Sequence, residues 1–223
     1  MNDTSTPSPH PLAVLCDLDG TLVDTERAWL DAISRGMHQL GHTVDDHTVA
    51  SLEGATLEQA SDLLINAYGL THSPAALGEL FESMTLGAFA DSVQWRPGAE
   101  ALLTDFARAG IPLALVTSST KRWVDVITAQ LDFSMFAHFV TADDVAHTKP
   151  HPTPYLVGAG LLGIAPERCI VFEDSRVGLE AALAAGCTSV LVREGREDWA
   201  QRATVHVPSL TDLNAQWVTN QLA

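Results

Sequence analysis

Apolar positions in this chain fall into two kinds of run. Five short ones, at residues 12–16, 112–116, 136–140, 169–172 and 189–192, are nearly continuous and are bounded by turn chemistry or end in a polar residue. Runs of this length and composition predict strands buried on both faces of a parallel sheet. Between the later four, apolar positions recur at helical spacing over residues 121–131, 153–162 and 175–185, the period that lines one face of a helix. Strand and helix in alternation predict a doubly wound α/β core of the Rossmann type, with helices covering both sheet faces.

The first and second strands lie about 95 residues apart, far more than a crossover needs. The stretch between them is helical in pattern, so an α-helical domain inserted at residues 25–95 is expected. Its helices are predicted over 26–40, 57–68 and 74–90, punctuated by Gly41, Gly54 and the His72-Ser73-Pro74 segment. Residues 91–97 read as the return linker. A helix over 98–109, ending at Gly110, leads into the second strand. The expected organisation is a flexible tail at 1–10, a core from 11–24 and 96–223, and the insertion at 25–95. Trp29 and Tyr68 fall as readily on the core face of that insertion as on a substrate-facing wall.

Composition narrows the choice of partner. The 223 residues are 46% hydrophobic and 18% charged, a globular balance, and the net charge of −16 repels nucleic acid and anionic lipid. Cys16, Cys169 and Cys187 lie in or beside the apolar runs and read as small core residues in a reducing compartment. No run reaches the ~18 apolar residues of a membrane span, and residues 1–11 carry no basic, apolar leader. The expectation is a cytoplasmic soluble protein, monomer or small homo-oligomer, with neither nucleic acid nor membrane as a partner.

Polar residues cluster where the predicted strands end: Asp17 and Asp19, then Thr117, Lys149, and Glu173 with Asp174. In an open α/β sheet those ends share one edge, where ligands bind. Four carboxylates gathered there need a counter-charge, and an all-oxygen donor set suits Mg²⁺, which works beside phosphate. Spacing of i, i+2 puts Asp17 and Asp19 on one face, about 6.5–7 Å apart along extended backbone. One carboxylate could attack phosphorus while the other handles the leaving-group proton. Thr117, with Ser118 or Ser119 able to share its role, and Lys149 supply a hydroxyl and a compact positive charge for phosphoryl oxygens.

The segments carrying these residues are DLDGTLVDTE at 17–26, LVTSS at 115–119, TKPHPTPY at 148–155 and VFEDSRVG at 171–178. In order and spacing they resemble the four motifs of the haloacid dehalogenase-like hydrolase superfamily, over residues 12 to about 192. The subgroup most similar has a helical cap after the first strand, as in β-phosphoglucomutase and phosphoglycolate phosphatase relatives. The resemblance implies Asp17 as nucleophile and Asp19 as general acid/base and, through its backbone carbonyl, metal ligand. It implies Thr117, Ser118 and Lys149 as phosphate-binding, and Glu173 and Asp174 as holding Mg²⁺ directly or through water.

Within that family the residues favour phosphoryl transfer. A dehalogenase does not need the second carboxylate or the metal, and residues 25–95 lack the lysine that carbon–phosphorus cleavage uses. Mutase relatives carry an Arg where this chain has Leu57, in GATLEQ, which favours water as acceptor over phosphosugar mutase chemistry. The insertion holds ten acids against Arg27 and Arg35, a net −8, favouring a sugar or polyol phosphate over a polyanionic substrate. A degenerate, non-catalytic phospho-ligand-binding homologue is the other alternative, and no motif residue is missing. A phospho-acceptor receiver module is set aside because its acceptor Asp lies on a middle strand and it lacks such an insertion.

Overall fold

The computed structural model describes residues 12–52, 55, 57–195 and 197–221. The expected tail at 1–10, and Gly54 with part of the GATLEQ segment, lie outside the described residues. The described chain runs β1 (Ala13–Cys16), α1 (Glu26–Gln39), α2 (Asp46–Leu52), α3 (Leu57–Tyr68), α4 (Pro74–Ser92), α5 (Ala99–Arg108) and β2 (Leu113–Val116). It continues through α6 (Lys121–Thr128), β3 (His138–Val140), α7 (Thr153–Leu162), β4 (Cys169–Glu173), α8 (Arg176–Ala184), β5 (Thr188–Val192), β6 (Val205–Val207) and α9 (Ala215–Asn220).

All six strands are parallel, in the order β3-β2-β1-β4-β5-β6. The chain winds outward from β1 through β2 to β3, then returns to lay β4 on the other side of β1. The strand order therefore reverses between β1 and β4, the position where α/β sheets open a crevice at their carboxyl ends. Residues of β1, β2 and β4 are buried throughout, as expected of strands covered on both faces.

One face is closed by α7 and α8. Leu15, Val116, Val140, Val171, Tyr155, Ala159, Ala181 and Ala182 form a continuous buried cluster there. Gly158 lets α7 lie close to the sheet, since a Cβ at that position would stand 2.9 Å from Val116 Cγ2. Against the other face, α5 turns Leu102, Leu103 and Phe106 inward, and the Phe106 ring lies 5.9 Å from that of Phe172. α9 packs on α5, tied to it by the Ala215 N–H donating to Asp105 Oδ2 at 2.7 Å.

Residues 24–94 with 125–131 form a second compact unit, apart from the sheet-bearing one. α1 and α3 each pack against α4. Gly36 permits the first of these contacts, because a Cβ there would meet the Phe81 ring at 2.8 Å. Ser73 caps α4 by accepting from the Ala76 N–H at 3.2 Å, with Pro74 opening the helix. Trp29 is buried, and half-buried Tyr68 meets His42 edge-on at 5.4 Å. Among the described residues no helix is long and apolar enough to cross a membrane.

Three elements lie outside the pattern reading: β6, α2 and α9, the last too short at six residues to show a helical period. β6 was not expected, since three half-buried residues, Val-His-Val, are too short to show a period. α2 was also missed: of its apolar side chains only Leu52 is described as buried, and its start is fixed by Asp45 Oδ1 accepting from the Thr48 N–H at 2.7 Å. The run at 136–140 pairs only over His138–Val140, and α6 stops at Thr128 instead of residue 131.

Gly98 enters α5 at φ +87°, and a Cβ there would lie 2.5–2.6 Å from the Leu210–Thr211 backbone. Left-handed strain and overpacking together should cost Gly98→Ala about 3 kcal/mol, a fall in Tm of roughly 6–12 °C. Gly110→Ala shares a positive φ, +71°, but has open space around it; it should cost about 1 kcal/mol. Thermal unfolding followed by circular dichroism compares the two.

Candidate active site

Strand register brings the polar strand ends together. Cys16 stands opposite Leu115 of β2 and Phe172 of β4, so the residues just beyond share one edge. The Asp17 N–H continues the ladder to the Phe172 carbonyl at 3.0 Å, and the Thr117 N–H reaches the Val140 carbonyl at 2.9 Å. Gly20, at φ +78°, turns the chain away from that edge, and a Cβ there would collide with the Asp174 carboxylate.

Lys149 is the hub. Its ammonium donates to Asp17 Oδ1 at 2.6 Å and to Glu173 Oε1 at 2.7 Å, and sits 5.0 Å from the centre of the Tyr155 ring. All three charged side chains are nearly out of water, at 3%, 9% and 1% exposure for Lys149, Asp17 and Glu173. Burial works to discharge the ammonium, but the two carboxylates outweigh it and hold Lys149 above its ordinary value. Burial pushes Asp17 up to about 7; Glu173 and Asp19 add to that rise and Lys149 opposes it.

Glu173 is saturated with donors. Oε1 accepts from Lys149 and from the Tyr155 hydroxyl at 2.6 Å. Oε2 accepts from the Asp174 and Ser175 N–H groups, at 3.2 and 3.3 Å, and from the Ser175 hydroxyl at 3.0 Å. The start of α8 approaches so closely that a Cβ on Gly178 would fall on the Glu173 carboxylate. Asp17 Oδ2 accepts from the buried Thr21 hydroxyl at 2.9 Å, which also lies 3.3 Å from Asp174 Oδ1. Behind Asp174, Arg193 Nη1 donates to its backbone carbonyl at 3.1 Å. Arg193 is held in turn by Glu197 at 2.7 Å and by the Trp199 ring at 5.1 Å.

Asp19, half-buried, stands on the β2 side. Its Oδ2 accepts from the hydroxyls of Ser119, at 2.6 Å, and Thr117, at 3.2 Å, while Oδ1 accepts from the Trp123 indole N–H at 2.9 Å. Of the two serines expected to support Thr117, Ser119 makes this contact; Ser118 is exposed.

Asp17, Glu173 and Asp174 each place a carboxylate oxygen within 4.8 Å of the others. Three carboxylates against one ammonium leave negative charge, and the donors are all oxygen, so the residues fit a hard divalent cation. The three cysteines are buried, and burial raises each thiol, Cys169 to about 11 and Cys187 to about 12. They are core residues, as their sequence context suggested.

Residues 14–192 match the family model described as haloacid dehalogenase-like hydrolase. The chain belongs to this family. It is 36% identical over 192 residues to hexitol phosphatase A of Escherichia coli (strain K12), covering 80% of this chain and 81% of that protein. It is 30% identical over 181 residues to the fructose-1-phosphate phosphatase YqaB of the same organism, covering 81% and 95%. Among solved structures, CbbY from Rhodobacter sphaeroides in complex with phosphate is similar with a TM-score of 0.79 at 25% identity, covering 91% of this chain and 96% of that one. β-Phosphoglucomutase from Clostridium difficile shares the fold, with a TM-score of 0.79 at 24% identity over 95% and 97%.

Several residues of this family member's site were not singled out by sequence pattern. Thr21, Tyr155 and Gly178 lie inside the quoted motifs but show their roles only through contacts. Trp123 reads as an ordinary core residue of an amphipathic helix, and Arg193 lies beyond the last motif.

The raised Asp17 carboxyl carries a sign for stability. Native protein binds a proton that the unfolded chain has lost between about pH 4 and 7, so in that window stability falls as pH rises. In EDTA, wild type should lose more Tm between pH 5 and 8 than Asp17→Asn does. Mg²⁺ at pH 8 should restore the wild type preferentially. Parallel pH profiles for the two proteins would contradict this assignment.

Proposed function

We propose that this protein is a Mg²⁺-dependent phosphatase that hydrolyses a small phosphate monoester, a sugar or polyol phosphate, through an aspartyl phosphate on Asp17. The observation that carries the reading is the buried Lys149 ammonium pinned between Asp17 and Glu173, with Asp174 beside them. It holds one carboxylate of a crowded group in a fixed place, next to a cluster suited to a divalent cation. The names of the relatives, a hexitol phosphatase and a fructose-1-phosphate phosphatase, support the substrate class, as does the acid-rich composition of residues 25–95.

Asp17 attacks phosphorus in line as the bond to the leaving oxygen breaks, and Asp19 donates the proton that this oxygen takes up. Asp19, now ionised, then accepts a proton from water. That water attacks the aspartyl phosphate, breaks the Asp17–phosphorus bond and releases inorganic phosphate. Lys149 and the Thr117 hydroxyl bind phosphoryl oxygens, with Ser118 at the same turn. Asp17, Asp174 and the Asp19 backbone carbonyl would hold Mg²⁺, which when bound would supply positive charge to offset the carboxylates and the phosphoryl group. Glu173, whose two oxygens accept from five protein donors, fixes Lys149 beside Asp17 and would add its negative charge to the site that holds the ion. Residues 25–95 act as the cap that selects the leaving group.

Purified protein should release phosphate from hexitol or ketose phosphates with higher kcat/KM than from nucleotides or glycolate phosphate. EDTA should abolish turnover, Mg²⁺ restore it, and Ca²⁺ inhibit, because its looser coordination misplaces nucleophile and phosphate. Asp17→Asn should retain under about a hundredth of wild-type kcat, the usual consequence of losing a covalent nucleophile. Full activity after exhaustive chelation, or a tenth of wild-type kcat in that variant once deamidation is excluded, would overturn the reading. Asp19→Ala should harm β-glycerol phosphate far more than p-nitrophenyl phosphate, whose phenolate leaves without a proton.

A further inference from the structure

Among the described contacts, the carboxylate of Asp19 accepts from three donors of two kinds, and they cannot all behave alike when substrate arrives. Thr117 and Ser119 contribute hydroxyls, each a rotor with one proton. The Thr117 hydroxyl, which also accepts the Ser119 N–H at 3.0 Å, is the group expected to turn to a phosphoryl oxygen. Trp123 contributes an indole N–H at 2.9 Å from a ring that is 7% exposed, in the first turn of α6. The Trp123 backbone N–H lies 3.3 Å from the Thr120 hydroxyl, which helps to seat that turn. A planar donor on a packed ring does not swing away, and it is a donor only.

We propose that Trp123 is a positioning residue for the acid/base Asp19, the donor that stays on its carboxylate while Thr117 transfers its hydrogen bond to phosphate. By donating to Oδ1, the indole sets the plane in which the carboxylate meets the leaving oxygen and, later, the attacking water. Orientation of a catalytic carboxylate decides how well it delivers a proton. The inference rests on the acid/base reading of Asp19 given above.

Trp123→Phe keeps an aromatic ring and deletes the N–H. Replacing Trp123 by β-(3-benzothienyl)alanine keeps the bicyclic shape with sulfur in place of N–H, and covers the case in which Phe fails to fold. Both should lower kcat on β-glycerol phosphate about 10- to 100-fold, the size expected for one hydrogen bond to a charged group. The fall should be at least about fivefold greater than on p-nitrophenyl phosphate. In an Asp19→Ala background the same change should add less than about a factor of two, because its target is gone. Equal losses on the two esters, or full additivity with Asp19→Ala, would overturn the positioning role. If Asp19→Ala itself fails to distinguish the esters, the acid/base reading fails; if it distinguishes them and the Trp123 variants do not, only the present inference fails.

Discussion

An ammonium group almost removed from water organises the head of the sheet. Desolvating Lys149, Asp17 and Glu173 together is expensive, and ion pairs of this kind often do no better for stability than apolar residues of the same volume. The geometry recovers that expense locally through two short contacts from Lys149 and the Tyr155 hydroxyl on Glu173. What the arrangement secures is placement. Asp17, at the end of a strand, cannot rotate without breaking its bond to Lys149 and its bond to Thr21. Lys149 cannot move without giving up its contacts to both carboxylates.

The sheet makes this placement possible because parallel strands end together. Each residue of the ionic group comes from a different strand end or the loop beyond it, and Asp17 and Thr117 are fixed by backbone bonds that continue the ladders. Apolar packing at α7 and α8 lies directly beneath: Tyr155 belongs both to the buried cluster and to the Glu173 hydrogen bond. Core and chemistry are thus joined at one side chain.

Reading the sequence located the strands at the centre of the sheet, since residues buried on both faces leave unbroken apolar runs. It also found Asp17, Asp19, Thr117, Lys149, Glu173 and Asp174 as strand-end residues, and the structure gathers them at one edge. What pattern does not encode is contact across long separations. Trp123 and Asp19 are 104 residues apart and their hydrogen bond leaves no periodic trace; a serine pair such as Ser118-Ser119 looks symmetric until backbone direction turns one of them toward the carboxylate. β6, with no buried residue, and α2, with a single buried apolar side chain described, lacked the repetition on which periodicity depends.

Gly178 shows how a site can be specified by an atom that is missing. It lies within α8, where alanine forms helix better by roughly 1 kcal/mol, yet the space a methyl group would fill is occupied by the Glu173 carboxylate. Any procedure that improves this protein by helix propensity alone would choose that position early. The added methyl would force the carboxylate, and with it the lysine, aside, breaking a buried ion pair at a cost larger than the gain in helix propensity. Stability and turnover therefore set the same requirement at this residue, and a score built on helix propensity alone would work against both.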